Sequence, residues 1–265
     1  DLVTPLSWVM DRSGLYYDAA GSNDLEKLLQ HGEFDAGLRA RAAALRERIV
    51  AARLSKYNLG GSGWQRPPGR KQVVMVPGQV ETDAAVALAA PGIRSNLELL
   101  RAVRAMRPDA WVVYKPHPDV VAGLRTGGAA AEQLLPLCNE IVVDCAIASL
   151  LEAVDEVHVL SSLAGFEALL RQRPVVCHGQ PFYAGWGLTQ DLIPLARRSR
   201  QLVLDELVAG VLLLYPSYVS RRSGRFTTAE RALDELIEWR DHVDHMPRGG
   251  VLRPLLRLRA RLLGL

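Results

Sequence analysis

The residues best suited to chemistry fall in four short loops, each following an apolar run. The most constrained is Lys115-Pro116-His117-Pro118, which follows Trp111-Val112-Val113-Tyr114. Each proline fixes its own φ and biases the residue before it towards extended geometry, so an imidazole and an ammonium are held at the end of a strand. Pro77-Gly78-Gln79-Val80-Glu81-Thr82-Asp83 offers two carboxylates behind a glycine turn. Ser161-Ser162-Leu163-Ala164-Gly165-Phe166-Glu167 sets two hydroxyls ahead of a helix whose first-turn N–H groups suit an anion. Pro181-Phe182-Tyr183-Ala184-Gly185-Trp186-Gly187-Leu188-Thr189 collects three aromatics and two glycines. Each loop also has a plainer reading: a Pro-rich turn, solvated acids, a simple Ser N-cap, a loop stapled to the core. Together they describe a cationic, hydroxyl-bearing phosphate pocket beside a carboxylate-rich loop, with an aromatic loop suited to flat sugar or base faces. That chemistry fits nucleotide-sugar transfer better than hydride transfer. No G-x-G-x-x-G follows a strand and no G-x-x-x-x-G-K-[ST] is present, which argues against a dehydrogenase or a P-loop kinase.

The elements that must position these loops alternate between strand and helix. Strands are predicted at Gln72–Val76, Ala110–Tyr114, Ile141–Val143, Val157–Leu160 and Val175–His178. Helices are predicted at Ser95–Arg107, opened by a Ser95/Glu98 capping box, and at Ala129–Leu137, Ile147–Ala153 and Leu163–Arg171. This βαβ rhythm predicts a Rossmann-like parallel sheet with right-handed crossovers. Ahead of it, Leu6–Met10 and Leu15–Asp18 read as a hairpin. A short helix capped by Ser22-Asn23-Asp24 runs to about His31, and a longer helix covers Asp35–Lys56. The chain is expected to be helical again from Gln201, with a second capping box at Thr227-Thr228-Ala229-Glu230. The domain boundaries expected are 1–58 for part of an N-terminal lobe, 59–70 for a Gly/Pro-rich linker, 71–200 for the nucleotide-sugar domain, 201–248 for C-terminal helices and 249–265 for a tail. In the tail, Arg253, Arg257 and Arg261 make a basic stripe among leucines. Docking on the core and lying in a membrane interface both fit that pattern.

Composition narrows the classes. The 265 residues are 49% hydrophobic and 23% charged, an ordinary globular balance. A net charge of +3, with no basic-aromatic motif, gives no case for nucleic acid. The three cysteines, Cys138, Cys145 and Cys177, lie in or near apolar runs without metal-ligand spacing, as free thiols of a reducing compartment do. No metal or other cofactor is expected. No apolar run reaches the length of a membrane span.

Taken in order, Gln79-x-x-x-Asp83, Tyr114-Lys-Pro-His-Pro118, Ser162-x-x-Gly165-Phe-Glu-Ala-Leu169 and Pro181-Phe-Tyr-Ala-Gly-Trp-Gly187 resemble the KpsC-type capsular polysaccharide proteins. The opening Pro5-Leu-Ser-Trp8 and Gly14-Leu-Tyr-Tyr-Asp18 are similar to that family as well. The resemblance covers about residues 1–243. It implies the Rossmann-like domain of a GT-B-type glycosyltransferase and a retaining β-Kdo transfer from CMP-Kdo to a Kdo-bearing glycolipid. The family carries a further Rossmann-like segment ahead of the position of Asp1, so the sequence is expected to be a fragment with an incomplete N-terminal lobe.

The resemblance further implies Asp83 as nucleophile, with Glu81 as its rival in the same loop. His117, Lys115, Ser161, Ser162 and Gly165 would hold the CMP phosphate end, and Glu167 the ribose hydroxyls. Gln79, Tyr183 and Trp186 would contact substrate. It places the protein in the cytoplasm, peripheral at the inner face of the inner membrane, with capsule assembly and export proteins as partners. The alternative is a non-catalytic polysaccharide assembly or export module that binds nucleotide or glycan.

Overall fold

The computed structural model describes residues 5–56, 63–124 and 130–245. In chain order its first elements are β1 (Ser7–Trp8), α1 (Asp24–His31), α2 (Ala36–Ala51), β2 (Val73–Pro77), α3 (Ala84–Ala89), α4 (Asn96–Met106) and β3 (Trp111–Lys115). There follow α5 (Pro118–Val121), α6 (Ala131–Leu134), β4 (Glu140–Ile141), α7 (Ile147–Ala153), β5 (Glu156–Val159), α8 (Leu163–Leu170) and β6 (Val175–Cys177). The chain continues through β7 (Gln190–Asp191), α9 (Leu204–Val208), a π-helical segment (Ala209–Leu214), β8 (Ser217–Val219), β9 (Phe226–Thr227) and α10 (Ala229–His245).

Residues Asp11–Val211 form one compact unit. Its sheet has six parallel strands in the order β4-β3-β2-β5-β6-β7. The central strand β2 is apolar throughout, Val73 to Val76 being fully buried, because helices cover both faces of a parallel sheet. Strand order runs outward from β2 through β3 and β4, then returns to β5 and runs out the other way. The reversal between β2 and β5 is the topological switch point, outside whose carboxyl ends open α/β sheets bind their ligands. The predicted alternation is therefore the observed one, and the capping box that opens α4 is complete, Ser95 accepting from Glu98 N–H while the Glu98 carboxylate receives Ser95 N–H. Of the Gly/Pro-rich stretch, residues 63–70 are tied to the sheet: the Arg66 guanidinium forks onto Asp155 at 2.8 and 2.7 Å, and Trp64 Nε1 donates to Glu140 at 3.0 Å. Residues 57–62 of that stretch and the tail at 249–265 lie outside the described residues.

A second unit is built from the described parts of Asp1–Met10 and Leu212–Leu265. In it β1, β8 and β9 make a small antiparallel sheet, Ser7 facing Tyr218 and Tyr218 facing Thr227.

Three local expectations are corrected. The first apolar run pairs with β8, and Leu15–Asp18 is a turn closed by Asp18 N–H on Leu15 O at 2.8 Å. The Asp11 carboxylate gathers the N–H groups of Ser13, Gly14 and Asp24, which folds the intervening loop onto α1 and leaves no hairpin there. The region after Gln201 is not wholly helical, since β8 and β9 interrupt it around a turn in which Gly224 has φ +65°. The cap of α10 is Thr228, whose hydroxyl accepts from Arg231 N–H at 3.3 Å, so Thr227 stays in β9. In addition α6 is shorter than the helix predicted over Ala129–Leu137.

Candidate active site at the carboxyl edge of the sheet

The two loops on either side of the switch point are stitched together by one side chain. Gln79 Nε2 donates to Ser161 Oγ at 3.0 Å, and Gln79 Oε1 accepts from Ser161 N–H at 3.1 Å. Its backbone is clamped in turn by Asn96, which accepts from Gln79 N–H at 2.8 Å and donates to Gln79 O at 2.9 Å. Gln79 is thus a buried brace, and Ser161 gives it its N–H and accepts from its amide while keeping its own hydroxyl proton to donate. Gly78 is required at the end of β2: a Cβ there would stand 2.6 Å from Tyr114 Oη and 3.1 Å from His117 N.

The two carboxylates of the first loop have different surroundings. Glu81 Oε1 accepts from Asn96 N–H at 2.7 Å and from Asn96 Nδ2 at 3.1 Å, so it helps to fasten the start of α4. Asp83 is exposed and caps α3, its Oδ1 accepting from Ala85 N–H at 3.1 Å. Only the second is exposed.

On the β3 loop, His117 caps α5, its Nδ1 accepting from Asp119 N–H at 3.2 Å. A neutral ring in that arrangement carries its proton on Nε2. Lys115 is half-buried, its ammonium donates to Val143 O at 3.2 Å, and burial lowers its pKa. Across the switch point Ser162 caps α8, Oγ accepting from Ala164 N–H at 3.2 Å.

The aromatic loop is placed otherwise than expected. Tyr183 and Trp186 have no exposed surface and present no face to a ligand. Tyr183 Oη donates to Ser162 O at 2.5 Å, directly against Gly165, and Trp186 Nε1 donates to Phe182 O at 2.9 Å. Buried aromatic rings whose polar atoms are satisfied by nearby carbonyls make a core staple. Arg198 locks this loop from behind, Nη1 donating to Pro181 O at 2.7 Å and Ala184 O at 2.8 Å, and Nε to Glu26 at 2.8 Å.

Glu167 is 6% exposed. Its Oε1 accepts from Lys56 N–H at 2.8 Å, whereas Oε2 is buried with no hydrogen-bond partner among the described residues. Burial raises its pKa. An orphaned buried acceptor is costly, and a ligand hydroxyl would satisfy it. Among the described residues no group of three or more His, Cys, Asp or Glu side chains is arranged to hold a metal ion.

Sequence reasoning passed over Asn96, Glu26 and Arg198. Asn96 had a signal, a poor helix former directly after a cap; Glu26 and Arg198 had none that set them apart from other surface-patterned charges.

A family model described as capsule polysaccharide biosynthesis protein matches residues 31–218. The chain is 44% identical over 237 residues to the capsule polysaccharide modification protein LipA of Neisseria meningitidis, covering 89% of this chain and 34% of LipA. It is 38% identical over 238 residues to the lipopolysaccharide-processing protein LpsZ of Rhizobium meliloti, covering 88% of this chain and 54% of LpsZ. The chain thus spans between a third and about half the length of these relatives. Among solved structures it is similar to Thermosulfurimonas dismutans KpsC, beta Kdo 2,7 transferase, with a TM-score of 0.78, 44% identity, and coverage of 89% of this chain and 73% of that one. The beta Kdo 2,4 transferase of the same KpsC gives a TM-score of 0.78 at 32% identity, covering 88% and 73%. The expected architecture, the Rossmann-like domain of a GT-B-type fold, is the one these structures share with the chain.

Proposed function

Because the chain belongs to the capsule polysaccharide biosynthesis protein family, we propose that it is the donor-binding part of a retaining β-Kdo glycosyltransferase that moves Kdo from CMP-Kdo to a lipid-linked Kdo acceptor. The supporting observation is the switch point itself: Asp83 on one side and the Ser162-capped helix on the other, stitched by Gln79, in a chain 44% identical to a β-Kdo transferase. Asp83 attacks the anomeric carbon, and CMP leaves with the electron pair of the C–O bond. The acceptor hydroxyl then displaces the carboxylate and loses its proton. Two inversions give net retention. A phosphate leaving group needs charge neutralisation more than protonation, which suits His117 Nε2–H, Lys115 and the N–H groups of α8. Glu167 Oε2 accepts from the ribose hydroxyls.

Among the described residues no helix is long and apolar enough to cross a membrane. The test is transfer by the full natural protein from CMP-Kdo to a Kdo-terminated lipid acceptor, with the new linkage assigned by NMR. A β-linked product supports the reading. An α-linked product would remove the covalent step. CMP binding without transfer would leave the chain an assembly or export module.

A further inference from the structure

A backbone N–H can only donate, and this fixes the sense of the contact between Gln79 and Ser161. Ser161 N–H meets one end of the Gln79 amide at 3.1 Å, so that end is the carbonyl oxygen Oε1. The other end is therefore the amino group, which can only donate as well. It stands 3.0 Å from Ser161 Oγ, so the hydroxyl oxygen accepts and its own proton is left over. Among the described residues nothing accepts that proton. Turning the amide over would set two donors against each other at Ser161 N–H. The side chain is also tethered at its root: Asn96 grips the Gln79 main chain at both N–H and O, and Glu81 Oε1 holds Asn96 in turn. Ser161 itself is half-buried, two residues beyond the end of β5 and next to Ser162, the cap of α8.

A serine hydroxyl left to itself rotates, and it accepts as readily as it donates, whereas an anion takes only donors. We propose that Gln79 is a positioning residue that sets the polarity of Ser161, holding its hydroxyl as a standing donor for the phosphate of the bound nucleotide at the switch point. The proposal rests on the reading of the chain as a CMP-sugar transferase. With the acceptor side of Oγ already occupied by the amide, the phosphate meets a donor that needs no reorganisation. A carboxylate in place of the amide would reverse this. It would accept from Ser161 N–H and from the Ser161 hydroxyl alike, and so turn the proton inward. An amide one bond from the main-chain clamp of Asn96 thus does work that neither a shorter nor an acidic side chain can do there.

The test is a double-mutant cycle in the full natural protein: wild type, Ser161→Ala, Gln79→Glu and the pair, titrated with CMP and with cytidine, which lacks the phosphate. Ser161→Ala keeps the N–H bond to Gln79 and removes the donor. It is expected to weaken CMP about tenfold and cytidine by less than about twofold. In the Gln79→Glu background the hydroxyl already points inward, so adding Ser161→Ala should change CMP affinity by less than about twofold. If Ser161→Ala costs the same factor in both backgrounds, Gln79 does not set the polarity and the proposal is overturned. It is overturned equally if Ser161→Ala leaves CMP affinity unchanged, or lowers CMP and cytidine by one factor. Should Gln79→Glu fail to fold, Gln79→Met takes its place as an uncharged side chain of similar length. It should weaken CMP severalfold and spare cytidine, and wild-type affinity for CMP would again overturn the proposal. If wild type itself does not bind CMP, the functional reading fails and this inference falls with it.

Discussion

Gly165 and Tyr183 occupy one another's space: a Cβ on Gly165 would stand 2.7 Å from Tyr183 Cζ and run into its hydroxyl. The pairing lets the tyrosine close over the first turn of α8 and bond Ser162 O, so the glycine sets the geometry of the helix start that faces the crevice. Gly165→Ala must displace a fully buried ring. Overpacking of this kind costs about 1–3 kcal/mol. The variant is expected to melt several degrees lower and to bind CMP more weakly, by calorimetry. A variant with unchanged melting would mean that the loop shifts without strain.

The two carboxylates beside the switch point should separate cleanly by mutation. Asp83→Asn keeps a good N-cap on α3, since Asn and Asp cap about equally well. It is expected to abolish Kdo transfer while CMP affinity and melting stay near wild type. Glu81→Gln should weaken the clamp on Asn96, lowering stability by about 1 kcal/mol and leaving measurable transfer. Residual turnover in Asp83→Asn together with none in Glu81→Gln would exchange their roles.

How much of this was legible beforehand depended on where the information lay along the chain. The βαβ alternation and the Ser95 cap are local, so they could be read from periodicity and spacing. Whether a loop residue faces ligand or core is decided by partners far away in sequence. Tyr183 and Trp186 look like exposed platforms until Gly165, eighteen residues earlier, and Arg198 enclose them. Gln79 reads as a substrate contact until Ser161, eighty-two residues later, takes both ends of its amide. The pairing of β1 with β8 spans more than two hundred residues and no local pattern announces it.

His117 is expected to bind nucleotide through Nε2, because its Nδ1 already accepts from Asp119 N–H. A hydrogen bond to a charged phosphate contributes roughly 1.5–3 kcal/mol, so His117→Ala should weaken CMP binding about tenfold or more. His117→Asn keeps a capping oxygen for α5 and separates loss of the cap from loss of the ligand contact. Equal CMP affinity in wild type and His117→Ala, measured by calorimetry, would reduce His117 to a cap.

Within the sheet, a buried relay makes the fold sensitive to acid. Arg107 forks onto Glu156 at 2.9 and 3.0 Å, His158 Nε2 meets Glu156 Oε1 at 2.9 Å, and His158 Nδ1 meets His178 Nε2 at 2.9 Å. Burial alone would raise the Glu156 pKa, but the hydrogen bonds from His158 and Arg107 outweigh it and hold it at about 2, below the ordinary 4.5. Burial, then the neighbouring His158, push His178 down from 6.5 to about 4. Between pH 6.5 and 4 the unfolded chain therefore binds a proton at His178 that the folded chain refuses, so stability falls as pH drops through that window. The Glu156 contribution is complete above about pH 4.5 and is lost from there towards pH 2. Melting temperature should accordingly decline in two stages on acidification. His178→Gln keeps a donor for His158 Nδ1 but cannot take up a proton, so it should flatten the upper stage and leave the lower one. Identical slopes for wild type and His178→Gln between pH 6.5 and 4 would show that His178 is not the group refusing the proton.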